Sequence, residues 1–180
     1  MNTTPLYIFD LDGTLADLKH RRHHVERPAC RYCGWLKPCD HDKPLTEQRE
    51  LRGERPKFKP NWDAFHAACV DDTPIVPMIQ LLRRVVAQGD ADAWVWSGRM
   101  DTVMQETKDW LKLHCPWWIR LRMRDAGDYT PDDTLKAGWL AWLEPPERNR
   151  LTAVFDDRDK VVAMWRAAGV PCFQVAPGEF

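Results

Sequence analysis

The sequence has no apolar run long enough to span a membrane, no cationic leader followed by a small-residue cleavage site, and no surplus of either charge. Its 26 Lys and Arg stand against 27 Asp and Glu, for a formal net charge of -1. No overall cationic field therefore draws the chain onto nucleic acid or an anionic membrane, and any nucleic-acid contact must be local. These absences predict a soluble, cytoplasmic protein with no membrane partner, whose six cysteines stay mostly reduced. No Gly-x-x-x-x-Gly-Lys-Ser/Thr stretch occurs, so P-loop kinase activity is not predicted. Repeats and low-complexity tracts are missing as well. At 180 residues and 44% hydrophobic composition, the chain is long enough for one domain with a proper core and a small appendage, but not for two full domains.

What is present is an alternation. Apolar, partly β-branched or aromatic runs at 6–9, 93–96, 118–122, 152–155 and 172–175 predict strands. Between them, helical patterns cover 75–88 (closed by Gly89), 101–114 (closed before Pro116), 132–143, and 158–168 (closed by Gly169). Strands alternating with helices predict an α/β, three-layer Rossmann-like fold whose central parallel sheet is covered on both faces. In such sheets the chemistry lies beyond the carboxyl ends of the strands. Residues 17–73 break the alternation, being rich in His, Arg, Pro and Cys. The expected organisation is a core of 1–16 and 74–180 with a cap-like insertion at 17–73.

Three strand exits carry polar residues. Leu6-Tyr-Ile-Phe-Asp10-Leu-Asp12-Gly13-Thr14 sets two carboxylates two residues apart directly after a buried strand. That suits phosphoryl transfer, with one carboxylate attacking phosphorus and the other moving the proton. A strand followed by an ordinary Asp-Gly turn is the plainer alternative. Ser97, in Trp96-Ser97-Gly98-Arg99, offers a hydroxyl and succeeding amides to a phosphate oxygen, although Ser-Gly after a strand is often only a turn. Lys136 could neutralise phosphate and nucleophile, although a lone helical lysine is usually a solvated one. Asp156 and Asp157 follow the fourth strand, where carboxylates from separate strand ends could share a magnesium ion with Asp10.

Taken in order, Asp10-x-Asp12-Gly-Thr14, Ser97, Lys136 and Asp156-Asp157 resemble the four motifs of the haloacid-dehalogenase superfamily. The resemblance implies Asp10 as nucleophile and Asp12 as general acid/base. It also implies magnesium held by Asp10, the main-chain carbonyl of Asp12 and a final-motif aspartate, Asp157 before Asp156. A closer similarity is to the 3′-phosphatase domain of phage polynucleotide kinase/phosphatase. It runs through Phe9–Ala16, Trp96–Arg99, Arg124–Asp128, Asp132–Lys136, Asp156–Val170 and Gln174–Phe180. This similarity adds Arg21, Arg99 and Asp132 as residues that place substrate or hold Lys136 or Arg99, and it implies a phage or bacterial setting. The implied reaction is removal of a 3′-phosphate from a DNA or RNA end in nucleic-acid repair. A phosphatase for free nucleoside monophosphates is the second enzyme reading. A zinc-stabilised nucleic-acid-binding module on an inactive scaffold is the non-enzyme reading, which the complete catalytic set opposes.

The insertion holds Cys30-x-x-Cys33, Cys39 and His41, a set able to present three sulfurs and an imidazole to a structural zinc ion. Free surface thiols are the alternative, and His20, His23 or His24 could replace His41 or meet phosphate. Cys69, Cys115 and Cys172 read as small buried hydrophobes. Of the ten tryptophans most read as core, Trp139 and Trp142 among them, while Trp35 and Trp62 are candidates for substrate contact.

Overall fold

The computed structural model describes residues 4–26, 59–115 and 119–178. In chain order the strands are β1 (Leu6–Asp10), β2 (Ala16–Asp17), β3 (Thr73–Pro74), β4 (Asp92–Met100), β5 (Arg120–Arg124), β6 (Leu151–Asp156) and β7 (Cys172–Gln174). The helices are α1 (Trp62–Ala67), α2 (Val76–Val86), α3 (Met104–His114), α4 (Asp132–Ala141), α5 (Pro145–Arg150) and α6 (Asp159–Ala167). Five strands form one sheet in the order β5-β4-β1-β6-β7, and every neighbouring pair is parallel. No helix among the described residues is long and apolar enough to cross a membrane.

Side-chain alternation along the strands divides the core into two layers. Leu6 and Ile8 of β1, with Trp94, Trp96 and Val154, pack on one face beneath α4 and α6, where they meet Trp139, Val161, Val162 and Trp165. Phe9, Ala93 and Val95 face the other way, onto Leu82 of α2 and Trp110 and Leu111 of α3. Each fully buried side chain of this size contributes roughly 1.5–3 kcal/mol. Because both faces are covered, only the strand ends are left for chemistry. The α/β class with its central parallel sheet is thereby established.

The expected strands are all present, but two differ in extent. β4 runs on through Ser97-Gly98-Arg99 to Met100, and its pairing with β5 is irregular between Ser97 and Met100. β5 begins at Arg120 and reaches Arg124, because as an edge strand it alternates Arg-Leu-Arg-Met-Arg rather than forming an apolar run. The periodicity gave no sign of α5, a six-residue helix opened by two prolines, nor of the two-residue strands β2 and β3, which pair antiparallel. Trp142 departs from the core reading, being 82% exposed.

The chain divides into two units, one of Met1–Leu18 with Cys69–Phe180 and one of Lys19–Ala68. Within the smaller unit a 3-10 turn spans Lys19–His24, and Asn61 caps α1 by accepting from the Ala64 N–H at 3.0 Å. Its buried Arg21 donates to the Phe65 carbonyl at 3.2 Å and lies 4.2 Å over the Phe65 ring. Residues 17, 18 and 69–73, which the sequence assigned to the insertion, belong to the larger unit, consistent with Asp17 pairing with Thr73 across β2 and β3.

Candidate active site

β1 ends on Asp10, and the chain then folds back sharply. The Leu11 carbonyl accepts from the Leu15 and Ala16 amides, and the Gly13 N–H donates to the Ala16 carbonyl at 2.8 Å. Gly13 has φ +89°, and a Cβ there would sit 2.2 Å from Asp157 Oδ2. The turn therefore needs glycine both for its left-handed backbone and for the approach of Asp157. It also leaves Thr14 fully buried, with a hydroxyl that has no hydrogen-bond partner.

Lys136, two percent exposed on α4, reaches the ends of β1 and β6. Its Nζ donates to Asp10 Oδ1 at 2.6 Å and to Asp156 Oδ2 at 2.7 Å. Burial works against its charge, yet Asp10 and Asp156, with Asp132 behind them, raise its pKa, so it is a permanent cation. Burial also pushes the Asp10 carboxyl well above its ordinary value, with Lys136 opposing and Asp156 and Asp157 adding to the rise. Asp156 gives its second oxygen to the Arg158 N–H at 3.1 Å. Asp157, by contrast, has a buried Oδ1 with no hydrogen-bond partner, and burial together with Asp156 pushes its carboxyl up to about 7. Carboxylate oxygens of Asp10, Asp156 and Asp157 lie within 4.8 Å of one another.

Asp12 leaves the turn toward β4. Arg99 Nε donates to both Asp12 oxygens, at 2.9 and 3.0 Å, and Arg99 Nη2 donates to Asp12 Oδ1 at 2.5 Å. The same Nη2 pairs with Asp72. The resemblance implies Arg99 at the substrate; here it is 1% exposed and its hydrogen bonds go to the Asp12 carboxylate. Its pKa is raised because Asp12 and Asp72 outweigh the cost of burial. Ser97 is fully buried, and its hydroxyl accepts from the Arg99 amide at 3.2 Å.

Asp132 was expected to hold Lys136 or Arg99, but its ion pairs are with Arg124 and Arg158. Arg124 also donates to the Gly98 carbonyl at 2.8 Å and the Thr130 carbonyl at 2.5 Å, tying β4 to the loop before α4. Gly98 fits tightly there, since a Cβ would meet Asp132 Oδ1 at 2.6 Å. Asp72, Arg124 and Arg158 were not singled out from the sequence. The only local signs were the Asp71-Asp72 doublet and the arginines at two strand exits. Arg21 packs within the smaller unit on Phe65. Cys30, Cys33, Cys39, His41 and Trp35 lie outside the described residues. Cys69, Cys115 and Cys172 are buried, and burial pushes the thiols of the last two up to about 12, which suits packing rather than reactivity.

A parallel α/β sheet with acidic residues gathered at the carboxyl ends of adjacent strands suits phosphoryl transfer, and the family match makes the protein a phosphoric monoester hydrolase of the haloacid-dehalogenase type. Residues 58–180 match the phosphatase domain of the polynucleotide kinase PNKP, and the chain belongs to that family. The segment with Asp10 and Asp12 precedes the matched residues. Among solved structures, a chain of the Pnkp1/Rnl/Hen1 RNA repair complex superposes with a TM-score of 0.65 at 23% identity, over 100% of this chain and 45% of that one. A second structure of the Pnkp1/Rnl/Hen1 complex gives 0.66 at 24% identity, over 98% and 47%. A haloacid dehalogenase-like family hydrolase of Streptococcus pneumoniae gives 0.57 at 14% identity, over 97% and 85%. This chain thus spans about half the length of the chains it matches in the RNA repair complexes.

Proposed function

We propose that the protein is a magnesium-dependent phosphatase that removes a terminal 3′-phosphate from a polynucleotide through an aspartyl-phosphate on Asp10. One observation carries this reading: Asp10, its partner Lys136 and Asp157, whose buried Oδ1 has no hydrogen-bond partner, meet at the ends of β1 and β6. The family match supports the choice of a nucleic-acid end as substrate.

The residues fit a hard divalent cation. Asp156 spends its oxygens on Lys136 and on the Arg158 amide, whereas Asp157 Oδ1 is buried and unpaired. Asp10 and Asp157, with the Asp12 main-chain carbonyl, would hold magnesium, and Asp156 would keep Lys136 in place. Bound there, the ion supplies positive charge against the phosphate oxygens.

Lys136 occupies Asp10 Oδ1 and leaves Oδ2 to attack phosphorus. As that bond forms, the bond from phosphorus to the 3′-oxygen breaks, and Asp12 gives its proton to the departing oxygen. Asp12, now a carboxylate, then takes a proton from the water that attacks phosphorus, and the Asp10–phosphate bond breaks to release inorganic phosphate. The Thr14 hydroxyl, which has no partner, the Ser97 hydroxyl and the Gly98 amide would bind the phosphate oxygens, and Lys136 would balance their charge.

Phosphate release from a 3′-phosphorylated oligonucleotide, a 3′-mononucleotide and a 5′-mononucleotide tests the reading, with Asp10→Asn as the control. The expected result is magnesium-dependent release from the oligonucleotide, and loss of turnover by at least about 10³-fold in the variant. Substantial activity in Asp10→Asn would refute the covalent route. Preference for a mononucleotide would move the substrate to nucleotide metabolism.

A further inference from the structure

We infer that Asp72 is a positioning residue for the phosphatase reaction, acting on the proton donor Asp12 through the guanidinium of Arg99; this rests on the role given to Asp12 above. Arg99 links the two carboxylates. Its Nε and Nη2 grip both oxygens of Asp12, and Nη2 also donates to Asp72 Oδ2. The side chains of Arg99 and Asp72 are both fully buried, while that of Asp12 is 21% exposed. Two members of the chain are thus sealed inside and the third faces the reaction.

Asp72 is itself fixed from several sides. The Trp110 indole N–H on α3 donates to its carbonyl at 2.7 Å, and its own N–H donates to the Cys69 carbonyl at 3.3 Å. The next residue, Thr73, pairs with Asp17 across β2 and β3. The remaining guanidinium nitrogen, Nη1, reaches Thr107 Oγ1 at 3.5 Å, a weak restraint at the edge of hydrogen-bond range. A planar guanidinium held at two ends presents its fork in one plane only. Asp72 sets that plane, and the plane sets the direction of the Asp12 carboxyl. Proton transfer to a leaving oxygen needs that direction to be right within a fraction of an ångström.

The test separates proton donation from general integrity by the choice of leaving group. A sugar 3′-oxygen departs as an alkoxide and needs the Asp12 proton as the phosphorus–oxygen bond breaks. p-Nitrophenolate is a stable anion and departs without it. With enzyme in excess over substrate and magnesium present, leaving-group release reads the first step alone. Asp72→Asn is expected to slow release from a 3′-phosphorylated oligonucleotide about 10- to 100-fold, a part of what general acid catalysis provides. Release from p-nitrophenyl phosphate should change less than about threefold. Asp72→Glu keeps the charge but shifts it by one methylene, and should show the same selectivity in weaker form. It also decides the matter should the Asn variant fail to fold. Equal slowing with both leaving groups, or no slowing with the oligonucleotide, would overturn the inference. A wild-type protein inactive on both substrates would instead remove the phosphatase reading beneath it.

Discussion

Asp156 and Asp157 are adjacent in the chain, yet the fold gives them opposite tasks. A strand alternates its side chains, and the end of β6 sends Asp156 to Lys136 while Asp157 follows it with one oxygen buried and unpaired. A buried carboxylate oxygen without a partner is costly in the absence of a cation. Asp157→Asn is therefore expected to raise the magnesium concentration needed for half-maximal activity by at least about tenfold, and to raise Tm when measured in EDTA. A titration of activity against magnesium and a melting curve with chelator check both halves, and unchanged magnesium dependence would remove Asp157 from the metal. Asp10, Asp12 and this aspartate pair could be singled out because each stands at or just after a strand exit, whereas Lys136 stood out only as part of the ordered set that resembles the superfamily motifs. Asp72 was not legible: its meaning depends on Arg99, 27 residues away, and on burial that no local pattern encodes. Arg99 was visible as a residue but not as a brace, since a strand-end arginine could equally have faced a phosphate.

At the level of elements, the loop between β1 and β2 leaves little room for change. Gly13→Ala would strain a backbone at φ +89° and drive a methyl into Asp157. The backbone cost alone is about 1–2 kcal/mol. The variant is expected to lose activity by more than about tenfold while keeping its secondary structure, as a phosphatase assay beside far-UV circular dichroism would show; full activity would mean that Asp157 can move aside freely. The parallel strands could be read from the sequence because burial on both faces makes them continuous apolar runs. The extension of β4 through Ser97-Gly98-Arg99 could not, because its irregular pairing with β5 re-aims polar side chains in a way that reads locally as a turn. β5 was placed about two residues early, the pull of Trp117-Trp118-Ile119 being stronger than that of an arginine-rich edge. α5 escaped notice since six residues starting with Pro145-Pro146 cannot show a helical period.

For the whole molecule, the acidic centre makes stability and metal binding depend on pH in opposite senses. Burial together with Asp156 pushes the Asp157 carboxyl up to about 7, and burial raises the Asp10 carboxyl too. A carboxyl raised in the folded state contributes most to stability below its unfolded pKa and loses that contribution as pH rises through its folded pKa. Without metal, this part of the stability should therefore fall between about pH 4 and 7. Magnesium binds the ionised form, so its stabilisation should grow over the same interval. The difference between Tm in magnesium and Tm in EDTA is expected to widen as pH rises from 5 to 8, and a constant difference would dissociate these carboxylates from the metal. Differential scanning fluorimetry across that range suffices, with Asp157→Asn expected to flatten the trend.

The antiparallel pairing of β2 with β3 has an architectural consequence. Asp17 and Thr73 are partners across this short ladder, so the polypeptide departs for Lys19–Ala68 and comes back at points about one strand spacing apart, roughly 5 Å. Such a doorway is indifferent to the length of what passes through it, because loop-closure entropy grows only slowly with size. The larger unit can thus be regarded as a socket: a segment of another size can be exchanged there while the sheet and its acidic centre keep their own contacts.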